Sequence, residues 1–302
     1  MPKILWSGDW HLTEQKPRCR TDDDWEGFLE NIIQFIVKTA NKKNALLGIG
    51  GDLFGKRSPN VSNSIVSMFL RNALQVKKGV RILAGNHDEY FHNFDYIHKT
   101  SFGILDAFIN GNENNGRLNY IDDLGTWYNF NEEVINPDKE LVFIHRLVFE
   151  NNKTIPPNVN AITASDLLDE FPKAKYIFTS DMHRAFMYVK KDRTVFNPGS
   201  IYRGAVDQIS YRPSVYYVDT DKGEFEQIFL PDTDKIVEDS YIIEEEERIN
   251  HIEAFVEKLK KNEVVELDFL SNIENGLLVN KKMSKETVRM IRELCSINEE
   301  GK

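Results

Sequence analysis

Apolar and polar positions alternate along this chain in a repeating order. Residues 4–7 form a short apolar run, Ile4-Leu5-Trp6-Ser7, that stops at Gly8. From Asp24 to Lys43, Trp25, Phe28, Ile32, Phe35 and Ile36 recur at three- and four-residue steps, which predicts an amphipathic helix. The cluster Thr21-Asp22-Asp23-Asp24 supplies its N-cap candidates. Residues 45–49 predict a buried strand broken by Gly50-Gly51. Residues 61–75 predict a second helix that ends near Lys77-Lys78-Gly79, and residues 80–84 a third strand that ends at Gly85. Strand, helix, strand, helix, strand argues for an α/β layered core.

The middle of the chain is less regular. Residues 111–116 predict a loop. Residues 141–144, 176–179 and 188–190 predict strands, and residues 215–218 and 225–229 a hairpin around Asp219-Thr220-Asp221-Lys222-Gly223. Pro231-Asp232-Thr233-Asp234 has the composition of a linker. Beyond it the pattern changes. Residues 241–243, 264–270 and 277–279 predict strands, residues 249–261 an amphipathic helix, and Ser284 caps a last helix. The expected division is therefore a large unit over 1–232 and a small α+β unit over 238–302.

Composition narrows the class. With 302 residues, 41% hydrophobic and 28% charged, the chain suits a soluble globular protein of one large and one small domain. No apolar run has the length of a membrane span, and the run at the start stops too soon for a signal peptide, so a cytoplasmic protein is expected. Cys19 and Cys295 are expected as two thiols in a reducing compartment. The net charge of −10 argues against tight, unaided binding of nucleic acid. It leaves room for a small substrate, or for a partner that brings the basic surface.

Five polar segments follow the apolar runs. They are Asp9-Trp10-His11, Gly51-Asp52-Leu53-Phe54, Gly85-Asn86-His87-Asp88, His145, and Asp181-Met182-His183. Residues two apart on an extended chain point the same way, so Asp9 with His11, and Asp181 with His183, suit a shared ion. Gly51 lets the backbone come close to whatever Asp52 holds, and Asn86 offers a neutral oxygen. Each segment alone is common by chance; their order, each after a strand, is not explained by packing. The donors are mixed oxygen and nitrogen without thiolate. That set suits Mn²⁺, Fe²⁺ or Zn²⁺ better than Mg²⁺, and Ca²⁺ poorly. With one carboxylate shared, two such ions would sit roughly 3.5–4 Å apart. His87 is then placed to serve the leaving oxygen, with Asp88 to orient it. His92, His98 and His251 match no such pattern and are expected as surface residues or parts of local structure.

The motif order resembles that of the calcineurin-like metallophosphoesterases over about residues 1–230. The resemblance implies a two-sheet sandwich flanked by helices. It implies that Asp9, His11, Asp52 and His183 hold one metal, that Asp52, Asn86, His145 and Asp181 hold the other, and that His87 is the catalytic histidine. Within that group the chain looks most like the SbcD-type nucleases of phages and prokaryotes. The signs are Gly8-Asp9-Trp10-His11-Leu12, Gly51-Asp52-Leu53-Phe54, Gly85-Asn86-His87-Asp88 and Asn197-Pro198-Gly199-Ser200 followed by Ile201-Tyr202-Arg203. The segment after 238 is similar to their small capping domain.

This likeness implies a Mn²⁺-dependent DNA exonuclease or endonuclease subunit of repair or recombination, in the host cytoplasm if phage-encoded. DNA contacts would come from Phe54, Lys56, Arg57 and Arg203. Partners would be a coiled-coil ATPase of the SbcC type and a second copy of the chain. Two departures stand out. Asp181 occupies a position where the family usually carries histidine, and the chain stops at Lys302, before the helices that usually bind the ATPase. Two other readings remain: a phosphatase or phosphodiesterase acting on nucleotides or other small phosphoesters, and a non-catalytic subunit that kept the fold.

Overall fold

The computed structural model describes residues 2–55, 60–90, 93–110, 117–121, 126–128, 139–152, 155, 161–232, 237 and 289. In chain order the elements begin with β1 (Lys3–Ser7), α1 (Trp25–Lys43), β2 (Leu46–Ile49), α2 (Asn63–Ala73) and β3 (Val80–Ile82). Next come α3 (Ser101–Asn110), β4 (Leu118–Tyr120), β5 (Thr126–Tyr128), β6 (Leu141–His145), β7 (Val148–Phe149) and β8 (Ile162–Thr163). The series ends with α4 (Ala164–Glu170), β9 (Tyr176–Ser180), β10 (Phe186–Lys190), β11 (Arg193–Asn197), β12 (Ser214–Asp219) and β13 (Glu224–Phe229).

The strands build one sheet in the order β13-β12-β1-β2-β3-β4 and a second in the order β10-β11-β9-β6-β5. A two-stranded pair, β7-β8, stands apart. β1, β2, β3 and β4 run parallel, as do β5, β6, β9 and β11. The hairpin β12-β13 and strand β10 close edges in the antiparallel sense.

The two-residue period of each strand sorts its side chains into layers. On β1, Leu5 joins a core with Leu29, Ile33 and Ile36 of α1 and Ile65 and Phe69 of α2. Its neighbours Ile4 and Trp6 face the other way, into a core shared with Phe143, Phe178, Phe196 and Tyr216. On β6 and β9, Val142, Ile144 and Ile177 pack with Leu167 and Leu168 of α4. The result is helices, sheet, sheet, helix. Trp6 joins the two sheets: its ring centroid lies 5.6 Å from Phe143 and 5.5 Å from Phe178, and its Nε1–H donates to the Thr179 carbonyl at 2.9 Å.

The caps of α1 follow from its sequence. The Asp24 side chain accepts from the Gly27 amide at 2.9 Å, Lys42 and Lys43 lie in the last turn, and Asn44 closes it in the left-handed conformation.

The chain divides into two units, Met1–Tyr241 and Ile242–Lys302. Of the second, Arg289 alone is among the described residues, so the strands and helices expected after 238 lie outside them. Among the described residues no helix is long and apolar enough to cross a membrane.

Candidate metal centre

Asp9, Asp52, Asn86, His145 and Asp181 all sit at or just beyond the carboxyl ends of parallel strands. Ligands gather at that end of α/β sheets. The backbone there is unusual. Asp9, His11, Asp52 and Asp181 all have positive φ (49°, 44°, 52° and 78°), a region non-glycine residues seldom adopt. Neighbouring loops hold them in it. The His11 amide donates to the Asp52 carbonyl at 2.9 Å, the Asp9 amide to the Gly51 carbonyl at 3.3 Å, and the Asp181 amide to the Asp9 carboxylate at 3.0 Å. Gly85 is dictated by the site: a Cβ there would lie 2.1 Å from the Asp52 carboxylate.

The side chains converge from five segments. The Nε2 atoms of His11 and His183 are 3.1 Å apart, and His11 Nε2 is 3.7 Å from Asp52 Oδ2. His145 Nε2 lies 3.0 Å from Asn86 Oδ1, 3.4 Å from Asp52 Oδ1 and 4.0 Å from Asp181 Oδ1. Donor atoms of Asp9, His11 and His183 fall within 4.8 Å of one another, and so do those of Asp9, Asp52 and His145. Ligands about 2.1 Å from one ion at right angles lie about 3 Å apart, close to these spacings.

Two features fit a cation pair. Asp52 Oδ2 is buried and has no hydrogen-bond partner, which is costly for an acceptor unless an ion meets it. The ring of His145 is turned so that Nδ1 faces the Gly50 carbonyl at 2.7 Å and Ser180 Oγ at 3.0 Å, leaving Nε2 for the site.

The charges tell the same story. Burial pushes the Asp9 carboxyl well above the ordinary carboxylate range, and the carboxylates of Asp52 and Asp181 add to this against the pull of His145. Burial also raises Asp181. Burial acts on Asp52 too, but the imidazoles of His145, His11 and His87 outweigh it and hold that carboxyl low. For His145, burial lowers the imidazole pKa, and the carboxylates of Asp52, Asp181 and Asp9 overcome it and raise it to about 9. So many acids in one buried place can ionise together only with added positive charge.

His87 stands beside this set. Its amide donates to Asp52 Oδ1 at 2.9 Å, and its ring lies edge-on to His11 with centroids 5.1 Å apart. A cleft of about 450 Å³ opens here, lined by His11, His87 and His183. One wall is residues 13–19, including Lys16, Arg18 and Cys19; another includes Ser200, Tyr202 and Gln208.

Three sequence expectations are corrected. Asp88 was expected to orient His87. Its buried carboxylate instead accepts from the amides of Gly85 (2.9 Å), Leu53 (3.0 Å) and Phe54 (3.1 Å), and so fastens two loops together. Phe54 was expected to touch DNA, but it is fully buried with its ring edge-on to Phe69. Arg203 was expected there too. It is 1% exposed, and its Nε donates to Asp232 at 3.0 Å and its Nη1 to the Ile209 carbonyl at 3.1 Å. Lys56 and Arg57 lie outside the described residues, as do His92, His251 and Cys295, while His98 is exposed. The wall residues Lys16 and Arg18 belong to no motif of the sequence, and their only signal is two cations so close after Asp9-Trp10-His11.

Among solved structures the chain is similar to an archaeal phosphodiesterase (15% identity, 76% of this chain, 99% of that one, TM-score 0.39). It is also similar to a dimetal phosphatase from Danio rerio (12% identity, 76% and 99%, TM-score 0.43) and to zinc-bound Vps29 from Entamoeba histolytica (13% identity, 75% and 98%, TM-score 0.37). At such identities these likenesses say nothing about what this chain acts on. No protein of curated function matches the sequence at a significant level. Residues 2–185 match the calcineurin-like phosphoesterase family, whose members use a dinuclear metal site. That match spans well over half of the chain, and the chain belongs to this family of metal-dependent phosphoester hydrolases.

Proposed function

We propose that this chain hydrolyses phosphodiester bonds in DNA, as an SbcD-like nuclease subunit acting in repair or recombination, with two Mn²⁺ ions. One observation carries the reading. The segment Asn197–Arg203, on which the likeness to SbcD-type nucleases partly rests, sends Ser200 and Tyr202 into the same cleft as His11, His87 and His183. The ion set is the one the resemblance implies: Asp9, His11, Asp52 and His183 for one, and Asp52, Asn86, His145 and Asp181 for the other. When bound, such a pair supplies Lewis acidity at the phosphate and makes water acidic enough to ionise near neutrality.

The chain's own groups then have distinct tasks. His145, held through Nδ1, presents Nε2 without rotating. Asp52 faces both halves of the site and ties His87 to it through the His87 amide. The His87 imidazole gives a proton or hydrogen bond to the leaving 3′ oxygen. Lys16 and Arg18 supply positive charge along the cleft wall. At a net charge of −10 the chain is helped onto long DNA by a partner that brings basic surface, a coiled-coil ATPase of the SbcC type; a second copy of the chain would pair the two sites rather than add that charge.

A second reading is hydrolysis of nucleotides or other small phosphoesters. The burial of Phe54 and Arg203 favours it, because two of the four residues expected to touch DNA are removed from the surface. The two readings separate in one assay. Mn²⁺-loaded protein is offered single-stranded DNA, duplex DNA, mononucleotides and bis(4-nitrophenyl) phosphate. Cleavage of DNA supports the first reading; intact DNA beside turnover of the small esters supports the second.

A further inference from the structure

A second buried group of charges lies outside the residues that line the cleft. The side chain of Asp232, on the segment leaving β13, is fully buried and accepts from two arginines. Arg20 Nη1 donates to its Oδ1 at 3.0 Å, and Arg203 Nε donates to its Oδ2 at 3.0 Å. The Arg203 amide adds a third bond to Oδ2 at 3.2 Å. Arg20 also grips Asp22 with two bonds of 2.7 and 2.9 Å, and its guanidinium lies 4.2 Å from the Phe28 ring centroid.

Each arginine adjoins a wall in sequence without lining the cleft. Arg20 directly follows residues 13–19, and Arg203 sits among residues 200–208. The second wall is bonded in turn to two candidate metal ligands. The Tyr202 hydroxyl donates to the His11 carbonyl at 3.0 Å, and the Ser200 amide donates to the His183 carbonyl at 3.0 Å. A buried ionic cluster is a poor way to gain stability, since apolar residues of similar volume often do as well. It is a good way to fix two loops at a set distance, because each charge must stay where its partners are.

We infer that Asp232 is a positioning residue: its carboxylate holds the two cleft walls in register and so sets how the cleft grips a phosphoester. This rests on the phosphoesterase reading for its kinetic arm but not for its structural one. Cys19 lines the cleft and is 4% exposed, so its thiol reports whether the walls part.

Two variants in a Cys295→Ser background test this. Asp232→Asn removes the charge and leaves two arginines underpaired. The double variant Arg203→Leu with Asp232→Asn also removes one of the two, and Arg20 keeps its two bonds to Asp22, so thermal stability recovers while the walls stay unlinked. Both should show Cys19 reacting with a thiol reagent about tenfold faster than in the parent, at unchanged circular dichroism. Both should also raise KM for bis(4-nitrophenyl) phosphate about tenfold with kcat within about twofold and with Mn²⁺ stoichiometry unchanged. Parental Cys19 reactivity and KM in a folded variant would overturn the inference. So would recovery of both values along with the melting temperature in the double variant, or failure of both variants to fold, because the cluster would then hold the fold and not the cleft. If the parent turns over no phosphoester, the functional reading fails and the Cys19 rates alone decide.

Discussion

His11 and His183, far apart in sequence, bring their Nε2 atoms to 3.1 Å. Two imidazoles at that distance need either a proton or a metal between them. The buried, unpartnered Oδ2 of Asp52 is 3.7 Å from His11 Nε2 and completes the corner. Asp52→Asn keeps the shape and removes the charge that faces both halves of the site. Purified Asp52→Asn should retain less than about one Mn²⁺ per chain where the parent holds about two, as read by elemental analysis after dialysis. Full retention would show that Asp52 is not shared.

Proton release follows from the same cluster. In the metal-free chain His145 holds its proton up to about pH 9, and Asp9 is also protonated well above the usual carboxylate range. The sign runs one way for both groups: the folded state binds protons more tightly than the unfolded chain. The His145 contribution to stability is complete below its ordinary pKa of about 6.5 and is lost as pH rises toward about 9. Metal-free protein should therefore melt at a lower temperature at pH 9 than at pH 6.5. Metal must displace those protons, so Mn²⁺ affinity should rise over the same interval. Calorimetric heats at pH 7 should also depend on the ionisation enthalpy of the buffer.

The His87 ring lies edge-on to His11, and it is the His87 amide that bonds to Asp52. His87→Ala should keep its metals and lower turnover by roughly 10²–10⁴. Loss of bound metal in this variant would make His87 a ligand.

Asp88 and Phe54 give the opposite signature. Asp88→Ala strands three buried amides, each worth about 1–3 kcal/mol when left unpaired. Phe54→Ala opens a cavity against Phe69 and should cost about 3–5 kcal/mol. Both losses should appear in denaturant midpoints. If Phe54→Ala left stability intact and weakened DNA binding, its burial would have been misjudged.

Much of this was written in the residue pattern. The first three strands, the first two helices and the β12-β13 hairpin follow from period and turn residues, and α1 starts at the Asp24 cap its sequence offers. The ligand segments were legible because Asp, His and Asn recur after strands. Other elements carried weaker local signals. β11 (Arg193–Asn197) begins one residue after the turn from β10, and α4 is a helix of 7 residues opened by a Thr163–Asp166 capping box. The errors about Asp88, Phe54 and Arg203 share a cause. Whether a polar or aromatic residue beside a motif faces the ligand or the core depends on partners distant in sequence, here Leu53, Phe69 and Asp232. Nor does composition reveal that four of the candidate ligands adopt positive φ, since that conformation is imposed by neighbouring loops.

The most direct measurement is anomalous diffraction at the manganese edge from crystals soaked in Mn²⁺. Two peaks about 3.5–4 Å apart are expected on either side of Asp52, one beside His11 and His183 and the other beside Asn86 and His145. A map with no peak within reach of Asp52, or with ions bound only elsewhere on the surface, would contradict the dinuclear centre and the hydrolytic role built on it.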